Sequence, residues 1–213
     1  MTSRRPALRA DPDYARAFAT IMSRIQKALG TRRPAVPVVV CVAGGAALHF
    51  YTGARISNDI DARIIARLLI DPADLQIAYR GADGHGRLLY FDTQYNDTFA
   101  LLHHDAYDEA LAIDVEGVDP RRLTVKLLTP VDLAVSKLAR FSEQDRLDIL
   151  SLAHAGLIDA SELRSRADAA LPDYVGRLDS VRTSINVACR LLAESSPPPP
   201  VAPRKTRSKT KSR

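Results

Sequence analysis

The 213-residue chain has no tryptophan, only two cysteines and only two methionines. Cys41 and Cys189 lie far apart and belong to no paired framework, so they are expected to be reduced, buried thiols of a cytosolic protein. There is no Cys-x-x-Cys and no spaced His/Cys cluster, which argues against structural zinc. No apolar run approaches the roughly 18 residues of a membrane-spanning helix, so no membrane association is expected. The N-terminus carries Arg4, Arg5 and Arg9 without an apolar segment behind them, which does not read as a secretory signal. What is present is an ordinary globular composition, 46% hydrophobic and 26% charged.

The net charge of +5 is carried by the ends of the chain. The last 17 residues hold six Lys/Arg and no acid, and without the two ends acids outnumber bases. A domain built around a broad nucleic-acid face should itself be basic, and this one is not. The tail SSPPPPVAPRKTRSKTKSR cannot build a core and is expected to be disordered. It reads either as an electrostatic tether for RNA, DNA or an acidic partner, or as a solvated tail with no specific task.

The expected organisation is a flexible N-terminus (1–12), an α/β domain (13–128), a helical C-terminal region (129–195) and the Pro-rich basic tail (196–213). Apolar residues at helical spacing predict a helix over 13–29, closed by Gly30. PVVVCVAG reads as a short buried strand, and further strands are expected at 60–65, 75–79, 88–91, 99–102, 111–115 and 123–128. Thr129 with Pro130 then forms a helix start, and helices are expected at 131–141, 143–155, 161–171 and 174–194. The fold class is α/β (α+β), a mixed sheet with helices followed by a helical part.

The chemistry concentrates in VCVAGGAALHFYTGARISNDIDARI, residues 40–64. A buried strand runs into Gly44-Gly45 and then directly into a short helix, expected over 46–51. Two glycines there permit close backbone approach and leave N–H groups free at a helix N-terminus, which suits phosphate. Asp59 and Asp61 sit two apart on the next strand, so both carboxylates share a face while Ile60 points the other way. Adjacent carboxylates repel, and a divalent cation between them, magnesium first, removes the conflict. Either signal alone is explained as well by a tight turn or by a polar strand face. Together, thirteen residues apart, they are far more specific.

This pattern resembles the polymerase-beta-type nucleotidyltransferase superfamily: Gly-Gly/Ser, about a dozen residues, then acid–hydrophobic–acid. GGAALHFYTGARISNDID looks like the AbiEii-type branch of minimal bacterial nucleotidyltransferases, many of them toxins of toxin–antitoxin or phage-defence systems. The matching positions are Gly44, Gly45, Ala47, Leu48, Tyr51, Arg55, Ser57, Asp59 and Asp61. TPVDLAVSKLARFSEQDRLDILSL resembles the family's downstream helices at Leu128, Pro130, Asp132, Leu133, Lys137, Leu138, Asp145 and Asp148.

The resemblance implies transfer of a nucleoside monophosphate from a nucleoside triphosphate (NTP) to an RNA, such as a tRNA 3′ end, or to a protein hydroxyl. It also implies Mg2+ as cofactor and an antitoxin as partner. Asp59 and Asp61 would hold the metal, and Gly44, Gly45, Arg55, Ser57 and Lys137 the nucleotide. A third carboxylate on a later strand is expected at Asp114, with Glu116 the alternative. Read from the residues alone, Lys137, Asp145 and Asp148 are equally a solvated helix face with local ion pairs. Tyr90, Tyr95 and Phe99 could stack a base or pack in the core, and His49 is expected to pack. On a strand, His103 and His104 would face opposite ways and share no metal.

Overall fold

The computed structural model describes residues 6–30, 36–64 and 70–195. The basic tail and residues 1–5 lie outside the described residues. Helix α1 (Pro12–Ala28) begins where Asp11 accepts from the N–H groups of Asp13 (2.9 Å) and Tyr14 (3.0 Å), with Pro12 at the first position. Tyr14, Phe18, Ile21, Met22 and Ile25 form its buried stripe. Strand β1 (Val38–Val42) leads into helix α2 (Gly44–Thr52), and strand β2 (Asp59–Ile64) returns antiparallel to β1. Strands β3 (Gln76–Arg80) and β4 (Gly86–Asp92) form a hairpin, and β5 (Leu111–Ile113) and β6 (Leu123–Leu127) a second antiparallel pair.

The six strands form one mixed sheet in the order β3-β4-β2-β1-β6-β5, with β2 parallel to β4 and β1 parallel to β6. Register sorts the two faces. Val40, Val42, Ile60, Leu89, Phe91 and Val125 share one face and are buried. Helices α1 and α2 cover it, with the Tyr14 ring against Tyr79 and the Phe18 ring against Phe50. Asp59, Asp61, Arg63, Cys41 and Lys126 occupy the other face. Helices α3 (Pro130–Ser136), α4 (Glu143–His154), α5 (Ala160–Ala170) and α6 (Leu178–Ser195) follow, and one core of buried residues runs through both halves.

Four expectations need correction. Residues 99–102 are not a strand. Asn96 and Asp97 commit this stretch to turns, Thr98 N–H donating to Asn96 Oδ1 and Ala100 N–H to Asp97 O, both at 2.8 Å. The strand expected over 111–115 stops at Ile113, because Val118 N–H turns back to Val115 O through Gly117 at φ +73°. The helix expected over 131–141 ends at Ser136, leaving Lys137 as its cap and Phe141 at φ +48° before a new capping box at Ser142 and Asp145. The last helix starts at Leu178 rather than 174, after a turn at Leu171–Asp173.

The Tyr51 hydroxyl, 1% exposed, donates to the Leu128 carbonyl at 2.7 Å and so joins α2 to the start of the helical part. Replacing Tyr51 with Phe leaves that buried carbonyl short of a partner. Urea unfolding should show a loss of about 1–2 kcal/mol at an unchanged m-value. An unchanged midpoint would mean that the bond contributes nothing.

Candidate active site

The strand-to-helix junction needs glycine twice, for different reasons. Gly44 takes φ +55°, and a Cβ there would run into the Asp61 carboxylate. Gly45 has an ordinary φ, but its Cβ would lie 2.5 Å from Ser57 Oγ and 3.1 Å from Arg55 Nη1. The two glycines are therefore the surface against which the Arg55–Asp61 stretch packs, so a side chain at Gly45 disturbs the fold as well as any ligand. Ala43, the N-cap of α2, offers no side-chain acceptor, so the helix opens uncapped beside Asp61.

Asp59 and Asp61 stand half-buried on the open face of β2 with Ile60 fully buried behind them. The Ser57 hydroxyl donates to Asp59. β4 brings a third carboxylate, Asp92, into register with Asp61 and hence onto the same face. Among the described residues no Lys or Arg side chain forms an ion pair with Asp59, Asp61 or Asp92. Burial first, then the like charges of Asp59 and Asp92, push the Asp61 carboxyl up to about 6, against the pull of Lys137 and Arg140.

Facing this acidic cluster is a frame in which three cations share two buried aspartates. Asp148, 1% exposed, accepts from Arg55 Nε (2.8 Å) and Nη2 (2.9 Å), Lys137 Nζ (2.6 Å) and Gln144 Nε2 (2.9 Å). Asp145, also 1% exposed, accepts a forked pair from Arg140 at 2.8 and 2.7 Å and two bonds from Ser142. Burial alone would raise the Asp145 carboxyl, but Arg140 and Ser142 outweigh it and hold it at about 2. Asp148 is likewise held down, burial being opposed by Arg55, Lys137 and Gln144. Neither aspartate lies on a solvated face.

A cavity of about 240 Å³ opens between these groups, lined by Gly44, Asp61, Asp97, Phe99, Lys137 and Arg140 among others. Phe99 is 74% exposed at its wall, Tyr90, beside Asp59, is 41% exposed, and Tyr95 lines the cavity while packing against the core. His49 is buried and bonded at both ring nitrogens. Asp11 N–H donates to Nε2 (3.0 Å) and Nδ1–H donates to Arg55 O (2.8 Å), so the ring props up the loop that carries Arg55. Burial lowers its pKa, which keeps the ring neutral.

The structure brings together Gly44, Gly45, Arg55, Ser57, Asp59, Asp61 and Lys137. It does not bring Asp114. That residue lies one past the end of β5, three strands from β2 and four rungs from Asp61, about 14 Å across the sheet and about 13 Å along it. It lines a separate cavity with Tyr51 and Leu111. Glu116 lies further along the turn. The carboxylate that stands in the third place is Asp92, which sequence reasoning missed together with Arg140 and Asp97. The signal for Asp92 was available: β4 alternates Leu89, Tyr90, Phe91, Asp92, ending on an acid of the open face as β2 does.

A Gly-Gly helix start against an acid–Ile–acid strand, on the open face of a mixed sheet, defines the nucleotidyltransferase class. The chain belongs to the family described as a nucleotidyltransferase of unknown function (DUF6036), whose model matches residues 16–182. The match takes in the glycine pair, all three acids of the cluster and the Lys137–Asp148 frame. No curated protein matches the chain.

Two variants separate the acidic cluster from its frame. The Asp61 carboxyl is raised in the folded chain, so its charged form destabilises the fold above pH about 6 and the penalty is absent below the unfolded value near 4. In metal-free buffer at pH 8, Asp61→Asn should therefore be more stable than wild type by about 1 kcal/mol, after allowing for solvent screening, and the gain should vanish by pH 4. Equal denaturation midpoints at pH 8 would show that the cluster is not strained. Asp148→Asn should act in the opposite direction, costing about 3–5 kcal/mol by leaving Arg55 without its buried counter-charge and Lys137 with only Asp145, at 4.0 Å. A melting curve that matches wild type would show the frame to be decorative.

Proposed function

We propose that the protein transfers a nucleoside monophosphate from an NTP to a hydroxyl acceptor. One observation carries the reading: Asp59, Asp61 and Asp92 share one face of the sheet beside an uncapped Gly-Gly helix start, and Asp61 opens with Gly44 into a cavity that Lys137 and Arg140 also line. Three carboxylates on one face, without a cationic side chain paired to them among the described residues, suit a hard divalent cation with oxygen ligands. Mg2+ bound by Asp59, Asp61 and Asp92 would supply charge neutralisation at the reacting phosphate.

The chain's own residues account for the rest. Gly44, Gly45 and the first N–H groups of α2 receive the β- and γ-phosphates. Lys137 and Arg140 offset triphosphate charge from the far wall, and Arg55 and Ser57 fix the strand that carries Asp59. Phe99, exposed at the cavity wall, gives the base a stacking surface. The acceptor hydroxyl attacks the α-phosphorus from the Asp92 side, a carboxylate there takes its proton, and pyrophosphate leaves toward Lys137. Asp92 favours this reading over a nucleotide-binding module without catalysis, because a third carboxylate does stand beside the pair.

The AbiEii-type wording of residues 44–61 extends the proposal to the acceptor and its setting. The acceptor is an RNA such as a tRNA 3′ end, or a protein hydroxyl, and the protein acts in a toxin–antitoxin or phage-defence pair with an antitoxin partner. Purified protein with Mg2+ and each of four α-phosphate-labelled NTPs, offered total bacterial RNA and total protein, tests this. Wild type should label one acceptor class, while Asp59→Asn/Asp61→Asn and metal removal by a chelator abolish labelling. Phe99→Ala should raise KM for the NTP by about 10-fold with kcat less affected, one stacking contact being about 1–3 kcal/mol. Nucleotide binding without label on any acceptor would overturn the proposal in favour of the non-catalytic module.

A further inference from the structure

The long connection between β4 and β5 (93–110) carries a second group of metal-ligating side chains, made of residues other than those of the acidic cluster. His103 and His104 do not sit on a strand, so the expected opposite orientation does not arise. The backbone folds over instead, Ala106 N–H donating to His103 O and Glu109 N–H to Asp105 O, both at 2.9 Å. The two imidazoles stack at 4.1 Å with 27° between their planes. One ligand atom from each of His103, His104 and Asp105 lies within 4.8 Å of the others. His104 Nε2 is 3.4 Å from Asp105 Oδ2, and His103 Nδ1 is 3.8 Å from the same oxygen.

The far side of His104 is also determined. Its Nδ1 lies 3.2 Å from Asp173 Oδ2, in the turn between α5 and α6. An ionised carboxylate only accepts, so Nδ1 carries a proton toward Asp173, and a metal ion at this site would replace any proton on Nε2, which faces the Asp105 carboxylate. The Asp173 pairing is how proteins orient a metal-ligating imidazole. His103 is only 13% exposed and so is held in place before any ion arrives. Ligands at about 2.0–2.2 Å from a common centre stand roughly 3.3–3.6 Å apart in a tetrahedron, so closing this triangle takes a rotation of exposed His104 out of its stack and an approach of the Asp105 carboxylate to His103 Nδ1, which now accepts from Asp105 N–H at 3.2 Å.

We propose that His103, His104 and Asp105 bind one borderline divalent transition-metal ion of the Zn2+ class, with Asp173 orienting His104 and water completing the shell. Two imidazoles and one carboxylate favour such an ion over Mg2+, which requires oxygen donors. The site shares no ligand with the acidic cluster. Its consequence is mechanical. The connection that carries Asp97 and Phe99 into the cavity wall would be tied, through His104 and Asp173, to the α5–α6 turn, and closing a long irregular segment in this way removes much of its conformational freedom.

The test is calorimetric titration of ZnCl2 into the tag-free full chain carrying Asp59→Asn/Asp61→Asn, so that binding at the acidic cluster does not contribute. Co2+ absorption reads the coordination. The expected result is one ion per chain. His103→Gln and His104→Gln should each weaken binding at least about 10-fold, and Asp173→Asn about 10- to 100-fold. His85→Gln, at an exposed His85–Asp83 pair of the same chemistry, should leave it unchanged. Far-UV spectra and metal-free melting curves that match the parent separate loss of the site from loss of the fold. The proposal is overturned if no stoichiometric ion binds, or if His85→Gln weakens binding as much as His104→Gln does.

Discussion

Asp148 is the point through which the two halves of the molecule hold each other. It sits on α4, receives Arg55 from the loop between α2 and β2, and receives Lys137 from the end of α3. A buried carboxylate of this kind is tolerable only while its partners are in place, so the three segments must arrive together. Arg55, once fixed, lies against Gly45, and Ser57 packs on the same glycine and reaches Asp59. The position of the acidic strand is thus set by a contact some ninety residues away in sequence, and His49 braces the same loop from beneath.

That frame also separates charges by role. The cations of the helical half are not spread over the acidic cluster. Asp145 and Asp148 hold them on the far wall, while Asp59, Asp61 and Asp92 have no cationic side chain paired to them among the described residues. A sequence selected for stability alone would pair the two groups directly. Keeping them apart leaves one acidic and one basic wall around a small cavity, an arrangement that an NTP with a divalent cation completes. Asp61, raised by burial and by its neighbours, records the local cost.

Much of this was legible in the chain, because the signals were local. Strand alternation placed Asp59 and Asp61 on one face, Thr129-Pro130 announced α3, and Gly44-Gly45 marked the turn where the backbone needs φ above zero. The failures came where tertiary context decides. The alternation of 111–115 put Asp114 and Glu116 on one face, but nothing local says that β5 lies at the far edge of the sheet. Asp92 was the better candidate only once β4 was known to pair with β2. Asp145 and Asp148 look like solvated positions in an acidic, polar helix, and their burial depends on Arg55, Lys137 and Arg140 converging from elsewhere.

The strand order explains the remaining feature of the site. β4 lies on one side of β2, and β5 lies at the opposite edge beyond β1 and β6. The segment that joins them must cross the sheet, and the helices already occupy the face that carries Ile60. It therefore passes over the face of Asp61, where Tyr107 lies under the Arg63 guanidinium at 4.6 Å and Leu101 and Ala106 are fully buried. Cys41, on that same face, becomes 3% exposed, and burial pushes its thiol up to about 12, so it is a packing group and not a nucleophile. The crossing also carries Asp97 and Phe99 to the cavity beside Asp61. A wall of the active site is thus set by connectivity, and its irregular backbone follows from having to cross three strands without joining any of them.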